Sequence, residues 1–329
     1  MVRMTHMKLT YLGPEGTFTH QAAIEAGRCL KTQYGIDEPE LVAAPDVTSI
    51  MASVQSGESW GVIAWENNVE GYVMPNLDAL IDAHDAAGLA RVGINVSFDA
   101  FITPGTSQIG IDGASVSAHP HGLAQCKRFI ERHRLHPAQA SSNAAACRDL
   151  KPGNVALGPH ICGDLYGLEI LEEHVEDFDG AHTDFLVIAP RGDVLDYVAR
   201  TREREFETVI TFIPLATGPG VVANLLDVLR DCGLNMTSLI SRPIKGHDGT
   251  YSFIITLDAA PWEPRFRRML VEVAEHGDWA KTIAVYPRRE RPNPPVDSWM
   301  LPEGGVRLDS SASTSDWQTA QNARRELLW

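Results

Sequence analysis

Short apolar runs alternate with amphipathic stretches from Lys8 to about Ala189. Several of these runs are continuously apolar, which is typical of strands in a sheet that is covered on both faces. The pattern predicts strands at 8–12, 61–65, 89–98, 115–118, 155–157 and 184–189, with helices between them at 19–26, 47–55, 75–84, 122–133, 143–150 and 159–166. We therefore expect an α/β domain, and the pattern is compatible with two small lobes that enclose a cleft.

A second pattern follows a charged connector at 200–205. It predicts strand 208–213, helix 221–232, strand 235–242, a hairpin turn near 246–249, strand 250–257, helix 262–276 and strand 281–286. This βαββαβ order is that of a ferredoxin-like unit. From Arg288 the chain is rich in Pro, Gly and Ser, which predicts a flexible tail, with a short amphipathic helix over 316–329 that Ser315 would cap. The predicted boundaries are 8–192 for the first domain, 193–206 for the linker, 207–287 for the second domain and 288–329 for the tail.

Composition excludes several classes of function. The formal net charge of −15 over 329 residues argues against a nucleic acid partner. A membrane span needs an apolar run of about 18 residues or more, which the chain lacks, so we expect a cytoplasmic protein that does not enter membranes. The five cysteines are an odd number without a C-x-x-C pair, which predicts neither a disulfide framework nor a zinc site. We expect no metal ion and no cofactor.

Three polar segments each follow a predicted strand, at the position where open α/β sheets bind ligands. Segment 13–19 precedes a helix, so its amides and hydroxyls would form an anion site, although a tight turn capped by Thr17 or Thr19 is the simpler interpretation of this segment alone. Segment 65–71 holds two carboxylates and two amides, which suit acid–base chemistry or are only solvated. Segment 117–126 contains His119 and His121, which would donate protons, bind an anion or cap a helix.

Taken together, these segments resemble the successive motifs of prephenate dehydratases. The matching residues are 13–19 (GPEGTFT), 66–71 (ENNVEG), His119-Pro120, Gln125-Cys126, Tyr166-Gly167-Leu168, and Thr183 with Phe185. The second domain resembles the ACT regulatory domain. It has Gly218-Pro219-Gly220 and Ser241-Arg242-Pro243 at the places expected from that domain. The resemblance covers about residues 8–287. It implies a two-lobed catalytic domain like a type II periplasmic binding protein, prephenate as the substrate, and a homodimer or homotetramer with the ACT domains side by side.

Several residues depart from the family's pattern in loops rather than in core strands. Asp184 stands where the family has Arg, which changes the local charge by two units beside a dianionic substrate. Ala181 replaces the usual Asn, His121 replaces Gln, and Asn68 and Tyr72 stand where Ser is typical. The related prephenate decarboxylases use this fold to expel CO2 while keeping the ring hydroxyl. The loss of the Arg, together with the added histidine, favours that branch.

The sequence therefore predicts non-aromatising decarboxylation of prephenate to dihydro-4-hydroxyphenylpyruvate, in specialised amino-acid or antibiotic biosynthesis. The alternative is a prephenate dehydratase of phenylalanine biosynthesis, which yields phenylpyruvate, CO2 and water, because Thr183, Glu66 and the first motif are retained. A third hypothesis is a catalytically silent cleft that senses an aromatic acid.

The resemblance also implies residue roles. The expected catalytic residues are Thr183, His119, His121 and Glu66, with one of the two histidines as the proton donor. The substrate would be bound by Glu15, Gly16, Thr17, Asn67, Asn68, Gln125, Asp184 and Phe185. The regulatory residues of the ACT domain would be Gly220, Val221, Ser241 and Arg242. Because Ile240 replaces a Glu there, two interpretations stay open: an aromatic amino-acid effector still binds, or the domain only dimerises.

Overall fold

The computed structural model of the chain describes residues 7–68, 71–106, 111–202, 204–216, 218–244, 249–289, 295–306 and 321–328. They belong to two compact units, Met1–Arg288 and Arg289–Trp329. The strands of the larger unit are β1 (Lys8–Leu12), β2 (Glu40–Ala44), β3 (Trp60–Asn67), β4 (Gly71–Tyr72), β5 (Ala87–Asn95), β6 (Asp99–Ile102), β7 (Ser115–Ala118), β8 (His136–Gln139), β9 (Val155–Gly158), β10 (Glu169–Glu172), β11 (His182–Ala189), β12 (Phe206–Ile213), β13 (Met236–Pro243), β14 (Tyr251–Leu257) and β15 (Trp279–Pro287).

The helices of the larger unit lie between these strands. They are α1 (Phe18–Tyr34), α2 (Val47–Gln55), α3 (Met74–Asp82), α4 (Pro120–Gln125), α5 (Lys127–Arg132), α6 (Asn143–Arg148), α7 (Ile161–Tyr166), α8 (Arg191–Arg200), α9 (Val221–Asp231) and α10 (Pro264–Glu275). The smaller unit contains a 3-10 turn (Ser298–Met300) and α11 (Gln321–Leu327).

The first lobe is built on a sheet in which β2, β1, β3, β11 and β5 lie side by side in that order. β1 is parallel to β2 and β3, whereas β11 is antiparallel to both of its neighbours. Side chains alternate between the two faces of β11. Phe185 therefore packs in one core cluster with Ala22 of α1, and Leu186 packs in another with Ile50 of α2. The sheet is covered on both faces, as its apolar strands predict.

The second lobe is inserted between β5 and β11, and its sheet has the order β10-β6-β9-β7-β8. β7 is parallel to β8 and β9, whereas β6 is antiparallel to β9. Two chain segments connect the lobes, and they are joined by a hydrogen bond from the backbone N–H of Val96 to the carbonyl of Ala181 at 2.7 Å. The two-lobed α/β architecture expected from the sequence is confirmed.

Residues from β12 to β15 form the predicted βαββαβ unit. Its strands have the order β13-β14-β12-β15, which is the ferredoxin-like arrangement, and α9 and α10 pack on them through residues such as Leu225 and Phe266. β15 also pairs with β5 at Ala284 and Gly88, so this sheet is continuous with that of the first lobe. A Cβ on Gly88 would lie 2.8 Å from the Ala284 Cβ, and this close approach accounts for the glycine.

Some described elements are not predicted by the sequence pattern. They are the short strands β2, β4, β6, β8 and β10 and the helix α8, which occupies part of the expected linker and buries Val194, Tyr197 and Val198. β8 has the sequence HPAQ and is mostly exposed, so it carries no apolar run. The single helix expected at 122–133 is divided at Cys126 into α4 and α5. Residues 246–248 of the expected hairpin turn and the expected cap Ser315 lie outside the described residues.

Candidate active site

The loop between β1 and α1 carries the first motif at the carboxyl end of β1. Thr17 is the N-cap of α1, and its Oγ1 accepts a hydrogen bond from the backbone N–H of His20 at 3.1 Å. In return, the backbone N–H of Gly16 donates to Nδ1 of His20 at 3.0 Å. These two bonds fix the loop at the start of a long helix, where the partial positive charge favours an anion.

The same loop contacts the second lobe through α7. The Tyr166 hydroxyl donates to the carbonyl of Glu15 at 2.6 Å, and the Cys162 thiol donates to the carbonyl of Gly16 at 3.3 Å. Burial raises the pKa of Tyr166, and burial together with the charge of Glu15 raises the pKa of Tyr11 to about 12. Both phenols are therefore neutral hydrogen-bonding groups near pH 7. The bonds of Tyr166 and Cys162 to Glu15 and Gly16 connect the first motif to the second lobe.

Gly16 is expected to tolerate no side chain. Its φ is +84°, and a Cβ would lie 3.0 Å from Cys162 Sγ and 3.2 Å from the Tyr166 ring. Gly153 has a similar φ of +80° with nothing within 4 Å of its Cβ position, so it is the matched control. In urea titrations we expect Gly16→Ala to lower the free energy of unfolding by about 1–3 kcal/mol more than Gly153→Ala, because only Gly16 adds steric overlap to the backbone cost. Equal losses would contradict the proposed contact with α7.

Acidification is expected to weaken the fold through His20. Burial lowers the pKa of His20 from its ordinary value of 6.5, with Glu15 opposing this shift. The unfolded chain then binds the proton more tightly than the folded chain, so the stability that neutral His20 contributes is present above pH 6.5 and is lost as the pH falls below it. Between about pH 7.5 and about pH 5.5 the unfolding free energy should decline less in His20→Gln, which keeps an acceptor that does not titrate. An equal decline in both proteins would show that His20 does not contribute.

Thr183 and Asn67 lie opposite each other on β11 and β3. Nδ2 of Asn67 donates to Oγ1 of Thr183 at 2.9 Å, which leaves the hydroxyl proton of Thr183 available to a ligand. Asn68 is engaged with the backbone near the crossing between the lobes. Its Nδ2 donates to the carbonyl of Gly180 at 2.9 Å, and its Oδ1 accepts from the N–H of His182 at 2.8 Å. Asn67 is thus placed to orient Thr183, and Asn68 to hold the connecting segment.

Asp184 points to the opposite face of β11 from Thr183, which differs from the expected substrate contact. Its Oδ2 lies 3.5 Å from Nε of Arg91, and its Oδ1 lies 3.2 Å from Nε2 of His182. The Arg91 side chain is 2% exposed, and it also lies 3.5 Å from the Glu207 carboxylate and 5.0 Å from the ring centroid of Tyr286. We call Arg91, Asp184 and Glu207 the buried ion triad. The triad therefore gives the Asp184 carboxylate a buried cation as its partner, on the face opposite Thr183.

Phe185 follows Asp184 in the chain, and Glu66 lies opposite Asp184 on the neighbouring strand. Phe185 is 2% exposed and belongs to the core cluster of the first lobe, so it is a packing residue. Glu66 pairs with Asp184, and not with Thr183, in the register between β3 and β11. The second carboxylate of this segment, Glu70, lies outside the described residues.

The third motif follows β7 in the second lobe. The backbone N–H of His119 donates to Oδ1 of Asn143 at 2.8 Å, and Nδ1 of His119 accepts from the N–H of His121 at 3.3 Å. Burial, and then the neighbouring His121, lower the pKa of His119, so near pH 7 its ring carries the second proton less often than an ordinary histidine does. His121 and Gln125 are exposed, and the backbone carbonyl of Gln125 accepts from the N–H of Asp177 at 2.6 Å.

The family profile described as prephenate dehydratase matches residues 9–193, which is more than half of the chain. The chain belongs to the prephenate dehydratase family. A curated relative, the prephenate dehydratase of Mycolicibacterium vanbaalenii, is 30% identical over 75% of this chain and 80% of its own length.

Two solved structures show the same fold. One is the prephenate dehydratase of Arthrobacter aurescens in complex with L-Phe, with a TM-score of 0.69 and 24% identity over 89% of this chain and 94% of that chain. The other is described as a novel type of quorum-quenching acylase, with a TM-score of 0.70 and 22% identity over 85% of this chain and 98% of that chain. At these identities the likeness concerns the fold alone.

Two contacts around the candidate site are not predicted from the sequence, namely that of Arg91 with Asp184 and that of Tyr166 with Glu15. Arg91 is the only charged residue of β5 (AGLARVGIN), and a cation among the apolar and small residues of 87–94 signals a buried partner. Tyr166 is predicted only as part of a motif, and its hydroxyl bond to Glu15 depends on how the lobes approach each other. The sequence thus carries a signal for the buried partner of Arg91 but none for the hydrogen bond between Tyr166 and Glu15.

The expected regulatory residues lie at one end of the ferredoxin-like unit. β12 and β13 both run antiparallel to β14, so α9, which starts after Gly220, and the end of β13 at Ser241 lie at the same end. Gly220 and Ser241 are exposed, and Val221 is half-buried. Arg242 is tied to Asp78 of α3, with Nη2 to Oδ2 at 2.7 Å and Nε to Oδ1 at 3.3 Å. The Arg242 guanidinium thus connects this unit to the first lobe.

A cavity of about 350 Å³ lies in the second lobe between β7, β8 and α6. Ser115, Ser117 and Lys151 are among its lining residues, so it sits toward the amino end of β7, away from the loop of His119. Within the described ranges, no three His, Cys, Asp or Glu side chains lie together as metal ligands. In the same part of the chain no helix is both long and apolar enough to span a membrane.

Proposed function

We propose that the chain is a lyase that acts on prephenate and releases CO2, in aromatic amino-acid biosynthesis. Support comes from membership of the prephenate dehydratase family across the whole catalytic region and from the hydroxyl of Thr183 held by Asn67 at 2.9 Å. Prephenate carries two carboxylates, a pyruvyl side chain and a ring hydroxyl. Its aromatisation is strongly favourable, so the protein mainly needs to orient the substrate and assist the leaving groups.

Between the two reactions, we propose the dehydratase. The relatives are dehydratases by name, which backs this alternative better than the decarboxylase that the sequence favours. The single observation that carries the proposal is the placement of Asp184. Because its carboxylate is bound to Arg91 on the face opposite Thr183, the charge reversal does not add a negative charge beside the Thr183 hydroxyl. Thr183 would donate a hydrogen bond to the leaving oxygen as negative charge develops there.

The decarboxylase is the second candidate, and one specific observation favours it. The rings of His119 and His121 lie together, with their centroids 5.1 Å apart. With no Arg at position 184, these two rings would be the source of the proton that a ring carbon of the substrate receives after CO2 departs. Because the lowered pKa of His119 leaves less of its ring protonated near pH 7, this function would rest on His121. The resemblance to the decarboxylase branch depends on these residues alone.

Incubation of the purified full chain with prephenate, followed by proton NMR of the products, tests the proposal. The dehydratase predicts phenylpyruvate. A non-aromatic hydroxylated keto acid would favour the decarboxylase instead. Unchanged prephenate with saturable binding in a titration would favour the sensor, and unchanged prephenate without binding would overturn the proposal. Spontaneous conversion is subtracted with a sample that contains no protein.

We further propose that the βαββαβ unit is an ACT domain that binds an aromatic amino acid near Gly220, Val221 and Ser241. The structure of the Arthrobacter aurescens relative is a complex with L-Phe, which makes this amino acid the first effector to test. Because Arg242 is paired with Asp78, a ligand beside Ser241 would act on α3 of the first lobe through this ion pair. We expect a homodimer or homotetramer and a cytoplasmic location.

A further inference from the structure

A histidine–carboxylate pair stands at the carboxyl end of β9 in the second lobe. Nδ1 of His160 lies 2.6 Å from Oδ2 of Asp99. The Asp99 side chain is 3% exposed, whereas that of His160 is 67% exposed. The pair therefore joins a buried carboxylate to an imidazole that a ligand can reach.

Asp99 is held so that this imidazole has a defined orientation. It opens β6 and pairs with Gly158 at the end of β9, and its second oxygen accepts from the backbone N–H of His174 at 3.2 Å. An ionised carboxylate only accepts hydrogen bonds, so His160 donates through Nδ1. Nε2 is then the outward nitrogen, which is the one that can exchange a proton with a ligand.

The pair lies at the edge where the motif loops of the two lobes meet. β9 and β7 are parallel neighbours, so His160, which follows β9, and His119, which follows β7, lie at the same edge of the second-lobe sheet. α7 begins directly after His160 and carries Cys162 and Tyr166, which contact the first-motif loop of the first lobe. His160 therefore shares a sheet edge with His119 and directly precedes the helix that contacts the first-motif loop.

The proposed reaction needs an acid that the other candidate residues supply poorly. The hydroxyl of Thr183 is a very weak acid and acts as a hydrogen-bond donor rather than as a source of a free proton. Nδ1 of His119 is already an acceptor for the N–H of His121. An imidazole oriented by a buried carboxylate is a common way to provide general acid–base catalysis.

We propose that His160 is a further catalytic residue, which protonates the leaving oxygen of prephenate, and that Asp99 is its positioning residue. This inference rests on the proposed dehydratase function. As the ring C–O bond breaks, the doubly protonated imidazole of His160 passes its Nε2 proton to the departing oxygen and water forms, while Nδ1 keeps its proton, hydrogen-bonded to Asp99. The electron pair of the breaking carbon–carboxylate bond completes the aromatic ring, and CO2 leaves. The neutral imidazole regains its proton from solvent, so no oxidant, reductant or cofactor takes part.

Steady-state kinetics of full-length variants with prephenate test this role. We expect His160→Gln to lower kcat about 100-fold or more with KM changed by only a few-fold, because the acid acts in the transition state and not in binding. Asp99→Asn should lower kcat less, again with KM retained. His136→Gln, which replaces an exposed histidine at the edge strand β8, is the matched control and should behave as wild type.

The outcomes distinguish a failure of this inference from a failure of the proposed function. A kcat of His160→Gln within about twofold of wild type would overturn the inference and leave the dehydratase function standing. If the wild-type chain leaves prephenate unchanged, the proposed function fails and the inference fails with it. A non-aromatic hydroxylated product would overturn proton transfer to the oxygen. Asp99 is buried and His160 is exposed, so if Asp99→Asn does not fold then His160→Gln alone decides.

Discussion

Replacing Asp184 by Arg is expected to destabilise the protein by about 3–5 kcal/mol, with no gain in dehydratase activity. The substitution places a second guanidinium beside Arg91, whose side chain is 2% exposed. It also removes one of the two carboxylates of the buried ion triad, which leaves Glu207 to balance two cations. The sequence alone places Asp184 beside the substrate, and on that basis the substitution would be expected to restore dehydratase activity. Urea unfolding and prephenate turnover on the same samples measure both effects.

Two further variants separate the charge from the shape of the side chain. Asp184→Asn keeps the size of the side chain and removes its charge, so it should cost clearly less than Asp184→Arg. The double variant Arg91→Met with Asp184→Arg restores a single guanidinium beside Glu207, and it should recover part of the loss. Wild-type stability of Asp184→Arg, or phenylpyruvate formation faster than wild type, would show that position 184 faces the substrate after all.

Replacing Thr183 by Val is expected to lower kcat for prephenate by about 100-fold to 1,000-fold while the fold is retained. Val has nearly the same shape and is favoured in strands, so β11 should keep its pairing with β3. What is lost is the hydroxyl that Asn67 orients at 2.9 Å, and with it a hydrogen bond to the charge that develops on the leaving oxygen. Steady-state kinetics, with unfolding midpoints as the check on folding, measure the effect.

Thr183→Ser is the matched control for this prediction. It keeps the hydroxyl and should retain most of the wild-type kcat. Asn67→Ala should fall between the two, because the hydroxyl remains but loses the bond that orients it. If Thr183→Val keeps the wild-type kcat, the hydroxyl takes no part in the reaction, and the site must be sought around other residues.

The strongest elements of the fold are readable from the sequence because burial on both faces leaves continuous apolar runs. β7 and α2 have the bounds that the pattern predicts. The pattern misses β8 because HPAQ is a mostly exposed edge strand, and it misses α8 because charged residues hide the buried stripe of Val194, Tyr197 and Val198. The only sign in the sequence of the pairing between β15 and β5 is the glycine at position 88. A single glycine in a strand does not indicate which strand lies beside it.

The candidate site is readable only where its residues are close together in the chain. The first motif lies at the carboxyl end of β1, before a helix that Thr17 caps, as the sequence predicts. The surroundings of Asp184 depend instead on the register between β11 and β5, which brings Arg91 to it, and on the docking of β12, which brings Glu207 to Arg91. Spacing along the chain does not reveal such pairings, so the sequence places a residue beside the substrate that the fold turns toward a buried cation.

The most direct test of the dehydratase assignment is to run the reaction in D2O and examine the product by mass spectrometry and proton NMR. In the dehydratase reaction the solvent-derived proton leaves with the oxygen as water. The result expected is therefore phenylpyruvate whose ring hydrogens all come from prephenate, with deuterium confined to the exchangeable side-chain positions. A non-aromatic product that carries deuterium on a ring carbon would contradict the assignment, because it would show that the ring, and not the leaving hydroxyl, receives the proton.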